Sequence, residues 1–243
     1  MTTARRLQLC AVIAALALLI TACEQIADPL YNPAKPQKLA LWYVSRDAKD
    51  IYNVTNPSGK LRIDASRSNK GSQSRAVIWP SGTKMTTNHQ SCATWSEATG
   101  EWPQEGLALR VRTDGKRFRT IVVAKNLWFG AVWQMNVYTW DSTRSPYFKI
   151  HGAVALPVPF LDGKQGRPLP WNVCARVEGS VVRIKGWNSK EKEPSWTDKD
   201  HSGIIKLPAE WVYPGKAGWY GGHIDPGRTI AMVNPRTTAN SAN

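Results

Sequence analysis

Residues 170–187 read Pro-Trp-Asn-Val-Cys-Ala-Arg-Val-Glu-Gly-Ser-Val-Val-Arg-Ile-Lys-Gly-Trp, and this stretch says more about the fold than any other. Apolar and polar side chains alternate on both sides of Glu178-Gly179. A period of two is typical of a strand with one buried face, and a glycine between two such runs is typical of a tight hairpin turn. The stretch therefore predicts two antiparallel strands joined at Glu178-Gly179.

The same pattern recurs along the chain, with short apolar or alternating runs separated by turn residues. Residues 106–112 alternate throughout and are followed by the turn signal Thr113-Asp114-Gly115. Further strands are predicted at residues 60–64, 75–79, 119–124, 129–140, 148–156, 218–224 and 229–234. No window of 11 or more residues beyond the N-terminal segment has a helical period. The fold class predicted is all-β, a two-sheet antiparallel sandwich.

The N-terminal segment has the parts of an export signal. Arg5 and Arg6 supply positive charge, and residues 9–20 are almost wholly apolar. That run is short for a bilayer span, which needs about 20 apolar residues, but it suits the apolar core of a signal peptide. Ile-Thr-Ala-Cys at residues 20–23 resembles the lipobox of bacterial lipoproteins, in which the cysteine thiol receives diacylglycerol before cleavage.

Residues 1–22 are therefore interpreted as a lipoprotein signal peptide and Cys23 as the lipidated first residue of the mature protein. A secretory signal cut before an incidental Cys23, or an uncleaved anchor helix, are the alternatives. Two or more acyl chains such as palmitate hold a protein firmly on a membrane. The expected location is the outer face of the bacterial cell membrane. We predict a proline-rich tether at 23–39, the sandwich at 40–235 and a disordered polar tail at 236–243.

The cysteines beyond the signal form one pair. Cys10 and Cys23 belong to the N-terminal segment, which leaves Cys92 and Cys174. In an exported protein such a pair most simply forms a disulfide, here closing a loop of about 80 residues. A reactive thiol or a metal ligand is the alternative, although no pair of histidines lies near either cysteine in the sequence.

The charge balance favours anionic partners. The formal net charge is +14, and removal of Arg5 and Arg6 with the signal lowers it by two. Nucleic acid, acidic envelope glycopolymers and anionic lipid headgroups all suit such a protein. The basic residues are scattered, however, and neither a basic helix nor a known nucleic-acid-binding fold is evident, which disfavours nucleic acid.

Tryptophan is the most unusual part of the composition, with twelve against four phenylalanines. A tryptophan on a sheet either fills a core or offers a flat surface to a sugar ring, and the sequence does not separate these uses. Residues two apart share a face of a strand, so Trp128, Tyr138 and Trp140 are expected together, with Trp133 on the opposite face. Trp187 and Trp196 are further candidates, either for ligand binding or for covering the sheet.

Residues 171–233 resemble the concanavalin A-like (laminin G-like) jelly-roll domains of bacterial secreted and phage-borne proteins. The likeness rests on Trp-x-Val-x-x-Arg-Val-x-Gly at 171–179, a following strand that ends at Trp187, Glu-Pro-Ser-Trp at 193–196 and the glycine-rich run at 214–223. A Gly-x-Leu-x-Ile strand at 59–63 extends it over 40–235. The spacing from Pro to Trp at 194–196 is one residue shorter than in the family pattern.

The resemblance implies a jelly-roll fold and leaves the activity open. The fold also houses glycoside hydrolases, which need two carboxylates, yet no strand carries a Glu-x-Asp-x-Glu pattern, so no enzyme is expected. A calcium site of the laminin G kind would use Asp198, Asp200 and Asp225; otherwise no cofactor is expected.

The expected function is therefore a membrane-anchored, surface-exposed, non-catalytic module that binds carbohydrate or an anionic envelope polymer. The alternative is a lipoprotein that contacts other proteins at the envelope, for envelope maintenance or for exclusion of a second phage by a prophage. A glycoside hydrolase is the third hypothesis.

Overall fold

The computed structural model describes residues 28–31, 37–127 and 130–240, and most of these residues lie in β-strands. The strands are β1 (Asp28–Tyr31), β2 (Leu39–Ser45), β3 (Tyr52–Thr55), β4 (Lys60–Ala65), β5 (Arg75–Pro80), β6 (His89–Ala98), β7 (Gln104–Thr113), β8 (Phe118–Lys125), β9 (Gln134–Asp141), β10 (Phe148–Ala155), β11 (Leu161–Asp162), β12 (Gln165–Gly166), β13 (Trp171–Glu178), β14 (Val181–Asn188), β15 (Ser202–Lys206), β16 (Lys216–Gly222) and β17 (Thr229–Ala239). A four-residue helix, α1 (Pro157–Phe160), and the 3-10 turns Pro57–Gly59 and Ala209–Trp211 complete these elements. Within the same ranges no helix is long and apolar enough to cross a membrane.

The strands form two antiparallel sheets. The eight-stranded sheet has the order β15-β14-β13-β6-β17-β4-β3, with β1 paired to the far end of β17, and the seven-stranded sheet has the order β10-β9-β8-β7-β16-β5-β2. The small pair β11–β12 stands apart from both. The predicted fold class, an all-β two-sheet antiparallel sandwich, is confirmed.

The hairpin predicted from residues 170–187 is present. Strands β13 and β14 pair from Trp171 opposite Asn188 to Glu178 opposite Val181, with Gly179 at a φ of 52° in the turn. Its alternation has the expected effect, because Val173 packs between the sheets while its neighbour Cys174 faces outward.

The core lies between the two sheets. Trp95 of β6 and Trp219 of β16 are fully buried there, and a wide set of aliphatic side chains surrounds them. Hydrogen bonds also join the sheets. Ser91 Oγ donates to the Gly218 carbonyl (2.5 Å), and Trp219 Nε1 donates to the Cys92 carbonyl (3.2 Å). Burial of this apolar surface is the main source of the sandwich's stability.

Both predicted ends of the sandwich were drawn too far inward. Strand β17 continues through Ala239, pairing with β6, so residues 236–239 are not a disordered tail. Asp28–Tyr31, predicted as tether, pairs with the end of β17 and buries the Tyr31 ring against Trp219 at 5.1 Å. These segments look like polar linkers in the sequence because backbone pairing, rather than apolar alternation, places them in the sheet.

One central strand was missed and one predicted strand was too long. Strand β6 lies between β13 and β17, but its inward side carries Ser91 and Ala93, which are too small or polar to give an apolar period. The strand predicted at 129–140 begins only at Gln134.

A candidate binding groove on the outer face of the seven-stranded sheet

A second apolar cluster covers the outer face of the seven-stranded sheet, away from the core. On β9, Met135 and Val137 point into the core, while Tyr138 and Trp140 point outward, as the alternation predicts. Small and aliphatic side chains share the middle of this face with the rings of Phe118 on β8 and Tyr220 on β16, and tryptophans lie toward both edges. The cluster contains Val77, Trp79, Ala108, Val111, Phe118, Val122, Ala124, Trp140 and Tyr220, with Ala40, Trp42, Val44 and Tyr138 packed against it.

Stacked aromatic rings border this face. The Trp140 ring, 5% exposed, stacks on Phe148 of β10 at 5.1 Å and lies 5.5 Å from Tyr147. Phe148 and Tyr147 are themselves 38% and 45% exposed. Trp140 is thus the base of the stack, and the rings that a ligand meets first are Tyr147 and Phe148.

Two depressions on this face, of about 630 and 580 Å³, share Gln73, Arg75 and Trp140, and together form what we call the outer-face groove. Its lining includes Trp42, Ser45, Arg46, Asp47, Gln73, Arg75, Trp102, Gln104, Asn136, Tyr138, Trp140, Asp141, Arg144, Tyr147, Phe148, Tyr220 and His223. The groove combines exposed rings with hydrogen-bonding side chains, which is the composition of a ligand site.

Polar side chains are held in place at the end of the groove near Trp102. Tyr220 Oη donates to Gln104 Oε1 (2.7 Å), and Gln104 Nε2 donates to the Lys125 carbonyl (2.8 Å). Asn136 Nδ2 donates to Tyr138 Oη (2.8 Å). Burial raises the pKa of Tyr220, so its hydroxyl remains a donor at all physiological pH values.

Arg75 and His223 meet where the two depressions join. Arg75 Nε donates to His223 Nε2 (3.0 Å), and Arg75 Nη1 donates to Ser45 Oγ (3.0 Å). Burial, and next the charge of Arg75, lower the pKa of His223 to about 4. At neutral pH the imidazole is therefore uncharged and its Nε2 is an acceptor.

Asp141 anchors the loop that carries Tyr147. The carboxylate accepts two hydrogen bonds from Arg117 and pairs with Arg119 (3.5 Å) and Arg144 (3.3 Å). The hydrogen bond from Arg117 is the main reason that the pKa of Asp141 lies far below its usual range. The Asp141 backbone N–H donates to the Tyr147 carbonyl (2.8 Å), which holds that ring beside Trp140.

The acidic side chains of the groove do not form a hydrolytic pair. Within the described ranges its lining contains two carboxylates, Asp47 and Asp141. Glycoside hydrolysis needs one carboxyl group that is protonated at working pH. Asp141 is held ionised by arginines, and Asp47 Oδ2 accepts the backbone N–H of Gln73 (2.9 Å). Asp141, which is held ionised, is therefore unsuited to the role of the general acid.

The remaining tryptophans named from the sequence lie elsewhere. Trp187, which is buried, and Trp196 pack on the disulfide at the outer face of the eight-stranded sheet, so the structure does not join them to the groove. The Lys185 Nζ lies 4.6 Å from the Trp196 ring centroid. Cys23 and Trp128 lie outside the described residues.

The predicted disulfide is confirmed. Cys92 and Cys174 are bonded, and both are fully buried.

The three aspartates proposed for calcium do not assemble into a site. Asp198 Oδ1 accepts the backbone N–H of Asp200 (3.0 Å), whereas Asp225 Oδ2 accepts that of Glu101 (2.7 Å) in another loop. Among the residues that the structure describes, no three His, Cys, Asp or Glu side chains are grouped to hold a metal ion. The donor set expected for Ca²⁺ does not fit, because Asp198 bonds within its own loop and Asp225 bonds to a different loop, at Glu101.

Local sequence patterns do not indicate much of the groove. In the sequence, Arg75 only begins a predicted strand, and His223 only ends the glycine-rich run at 214–223. Trp102, 48% exposed, stands in a turn before β7, where no period marks it. The aromatic excess was a signal that such rings exist, but not a signal of their position.

No family model and no curated protein matches this sequence. Among solved structures, the chain is similar to a Bacillus subtilis protein of unknown function with a galectin-like fold, with a TM-score of 0.54, 10% identity and coverage of 89% of this chain and 98% of that one. It is also similar to the exoplasmic/lumenal domain of VIP36. The metal-free form gives a TM-score of 0.51 at 9% identity and covers 88% of this chain and 92% of that one. The Ca²⁺-bound form gives a TM-score of 0.51 at 11% identity and covers 88% of this chain and 90% of that one. At these identities the likeness concerns the fold, which is the concanavalin A-like jelly roll that the sequence resembled.

Proposed function

We propose that this chain is a non-catalytic carbohydrate-binding module whose ligand lies in the outer-face groove. The observation that carries the proposal is the set of exposed rings, Trp102, Tyr147 and Phe148, bordering one groove that also offers fixed polar groups. Sugar rings have apolar faces that pack on aromatic rings and hydroxyls that need hydrogen-bond partners, so this combination suits them.

The size of the groove supports a ligand of several sugar units. Each of its two depressions is within the range of about 300–1,000 Å³ found for small-molecule sites. Because they join at Arg75 and Trp140, a linear oligosaccharide would occupy both. The fold shared with the galectin-like protein from Bacillus subtilis agrees with this role at the level of architecture only.

We further propose that a lipidated Cys23 holds the module at the outer face of the cell membrane. Strand β1 begins at Asp28, five residues after Cys23. An extended chain spans at most about 3.5 Å per residue, so Asp28 would lie within about 18 Å of the lipid attachment. The module would therefore work close to the membrane, where it meets envelope polymers.

A glycan array probed with the full chain carrying Cys23→Ser, which prevents lipidation, tests the binding proposal. Titration calorimetry on the best array hit then compares Trp102→Ala and Phe148→Ala with the parent. We expect each to weaken binding about tenfold, since a stacked aromatic contributes roughly 0.5–1.5 kcal/mol in addition to the effect of the area that it buries. Repeating the titration with EDTA reports any dependence on Ca²⁺.

The matched control is Ile204→Ala, because Ile204 is 58% exposed but lies on β15 of the other sheet. Its affinity should equal that of the parent. Equal affinity in the Trp102→Ala and Phe148→Ala variants would remove the groove from the proposal. Absence of any glycan hit, with a protein recovered by crosslinking on cells, would favour the envelope-interaction alternative, and release of reducing sugar would favour a hydrolase.

A further inference from the structure

The arginines that line the outer-face groove differ in what they are bonded to. Arg46 Nε donates to the Asp50 carbonyl (2.6 Å), and its guanidinium stacks on Tyr43. Arg144 pairs with the carboxylates of Asp141 (3.3 Å) and Glu210 (3.5 Å). Both are therefore committed to the structure of the sheet and its loops.

Arg75 has only neutral partners among the described residues. Its Nε bonds to the uncharged His223 ring and its Nη1 to the hydroxyl of Ser45, and no carboxylate of those residues lies within 4.0 Å of it. Its Nη2 has no protein acceptor in the same part of the chain. The guanidinium is thus held through Nε and Nη1, while the described residues leave Nη2 free to bond to a ligand.

Among the described residues, no carboxylate in the lining of the groove is paired with Arg75. The carboxylates in the lining are Asp47, which accepts the Gln73 N–H, and Asp141, which already faces Arg117, Arg119 and Arg144. Arg75 is partly buried and lines both depressions together with Trp140. A partly buried, oriented guanidinium is a strong and selective partner for a carboxylate or phosphate.

We infer that the outer-face groove selects saccharides that carry an anionic group, a carboxylate or a phosphate, and that Arg75 is the residue that determines this specificity. The inference rests on the proposed function and narrows its ligand. Phe148, which stacks on Trp140, and Arg75 line the same depression. One ligand can therefore stack a sugar ring on Phe148 and place an anionic group at Arg75. The basic net charge of the protein attracts anionic polymers to the surface, but Arg75 selects anionic over neutral sugars inside the groove.

The ligand side is tested first, with the Cys23→Ser full chain. The array carries uronic-acid polysaccharides, each beside the same polymer after carboxyl reduction, and phosphate-bearing polysaccharides, each beside the same polymer after dephosphorylation. Neutral glucans, mannans and galactans complete the array. We expect the hits to be acidic polymers, and removal of the charged group from the matching polymer to weaken binding at least tenfold. The two treated series separate carboxylate from phosphate recognition. This experiment needs no substitution in the groove.

The protein side uses Arg75→Gln and Arg75→Lys, titrated with the best acidic hit. We expect Arg75→Gln to weaken binding 10- to 100-fold and Arg75→Lys to lose less, because lysine keeps the charge but not the planar fork. Arg183→Gln is the control, since Arg183 lies on β14 of the other sheet and its loss changes the net charge equally. Circular dichroism and melting temperature report whether each variant is folded.

The outcomes separate the two proposals. Hits that are neutral, or acidic hits that bind equally after loss of their charge, overturn the anionic specificity while leaving carbohydrate binding in place. Arg75→Gln and Arg183→Gln variants that lose affinity equally reduce the effect to general electrostatics and also overturn the role of Arg75. No hit on the whole array overturns carbohydrate binding itself, and this inference with it.

Discussion

Cys92 and Cys174 are direct cross-strand partners on β6 and β13, and they are joined by a disulfide that lies beneath Trp187 and Trp196. The bond links positions 82 residues apart in the chain, so it restricts the unfolded ensemble strongly. Both cysteines are fully buried and pack with the two tryptophans in one cluster. The outer face of the eight-stranded sheet therefore covers the disulfide, whereas the outer face of the seven-stranded sheet forms the outer-face groove.

Removal of this disulfide should destabilise the sandwich. We expect the Cys92→Ala, Cys174→Ala double variant to lose about 4 kcal/mol of unfolding free energy, the chain-entropy value for a loop of this length. Denaturant titration of the variant against the oxidised parent measures the difference. A loss below about 1 kcal/mol would mean that the unfolded chain is already restricted by other contacts.

The tryptophans of the groove should divide into structural and binding residues. Trp140 is buried beneath Phe148, so we expect Trp140→Ala to cost about 3–5 kcal/mol of stability, as truncation of a buried tryptophan usually does. Trp102 is half exposed, and Trp102→Ala should change stability by less than about 0.5 kcal/mol while weakening sugar binding. Thermal melting and calorimetry on the same two samples separate the effects. Equal losses of stability in the Trp102→Ala and Trp140→Ala variants would show that both rings have a structural role.

The sequence predicts what depends on local periodicity. The hairpin at β13 and β14 and the shared face of Tyr138 and Trp140 both follow from the period of two, which is a property of neighbouring residues. The disulfide followed from the cysteine count in an exported chain. None of these needs knowledge of which strands become neighbours.

The binding groove depends on long-range pairing, which local patterns do not encode. Arg75 and His223 are 148 positions apart and meet only because β5 pairs with β16 in the seven-stranded sheet. Likewise, Trp187 resembles Trp140 in the sequence, since both lie near a strand end, yet one covers a disulfide and the other supports the groove. The sheet order decides between these uses.

Close approach of two strands explains one glycine of the glycine-rich run at 214–223. A Cβ on Gly218 of β16 would lie 2.2 Å from the carbonyl oxygen of Ile78 on β5, and backbone cannot move aside as a side chain can. We expect Gly218→Ala to cost about 3 kcal/mol, at the upper end for overpacking. Gly82→Ala is the control, because nothing lies within 4 Å of its added methyl group. Chemical denaturation compares the two, and similar stabilities would show that the sheet adjusts at Gly218.

Acid should weaken the fold through its buried histidines. His89 is fully buried, its Nε2 accepts the Arg110 backbone N–H (2.9 Å), and burial lowers its pKa to about 3. The unfolded chain takes up this proton near pH 6.5, so it binds more protons than the folded chain between those values, and stability falls as the pH falls through that window. His89 alone should remove about 2 kcal/mol between pH 7 and pH 5. Denaturant titrations at both pH values test this.

His223 should act in the same direction, because its pKa is lowered to about 4. We expect His89→Gln and His223→Gln each to flatten the pH profile of stability between pH 5 and pH 7. A profile that is unchanged in the His89→Gln variant would contradict a neutral imidazole in the core.

Asp141 should act in the same direction as the two histidines, but at lower pH. In the folded protein, the pKa of Asp141 lies below the ordinary carboxyl value, chiefly because of the hydrogen bond from Arg117. The ionised carboxylate therefore stabilises the fold at pH values above the pKa of the unfolded chain. This stabilisation is lost as the pH falls through the pKa of the folded protein. Asp141→Asn keeps the shape but leaves Arg117, Arg119 and Arg144 without their shared anion. Because Arg117 and Arg144 are 40% and 48% exposed at the side chain, we discount the usual 3–5 kcal/mol for a broken buried pair to about 2 kcal/mol at pH 7.

The same substitution should reach the groove, because Asp141 organises the loop that carries Tyr147. The backbone bond from Asp141 to the Tyr147 carbonyl and the Thr143 contacts to its carboxylate hold that loop against β9. We therefore expect Asp141→Asn to weaken glycan binding severalfold even where the protein is fully folded. Glu178→Gln is the control, since Glu178 pairs with Arg176 and Arg183 on the other sheet. Unchanged binding by folded Asp141→Asn would place Tyr147 outside the ligand contact.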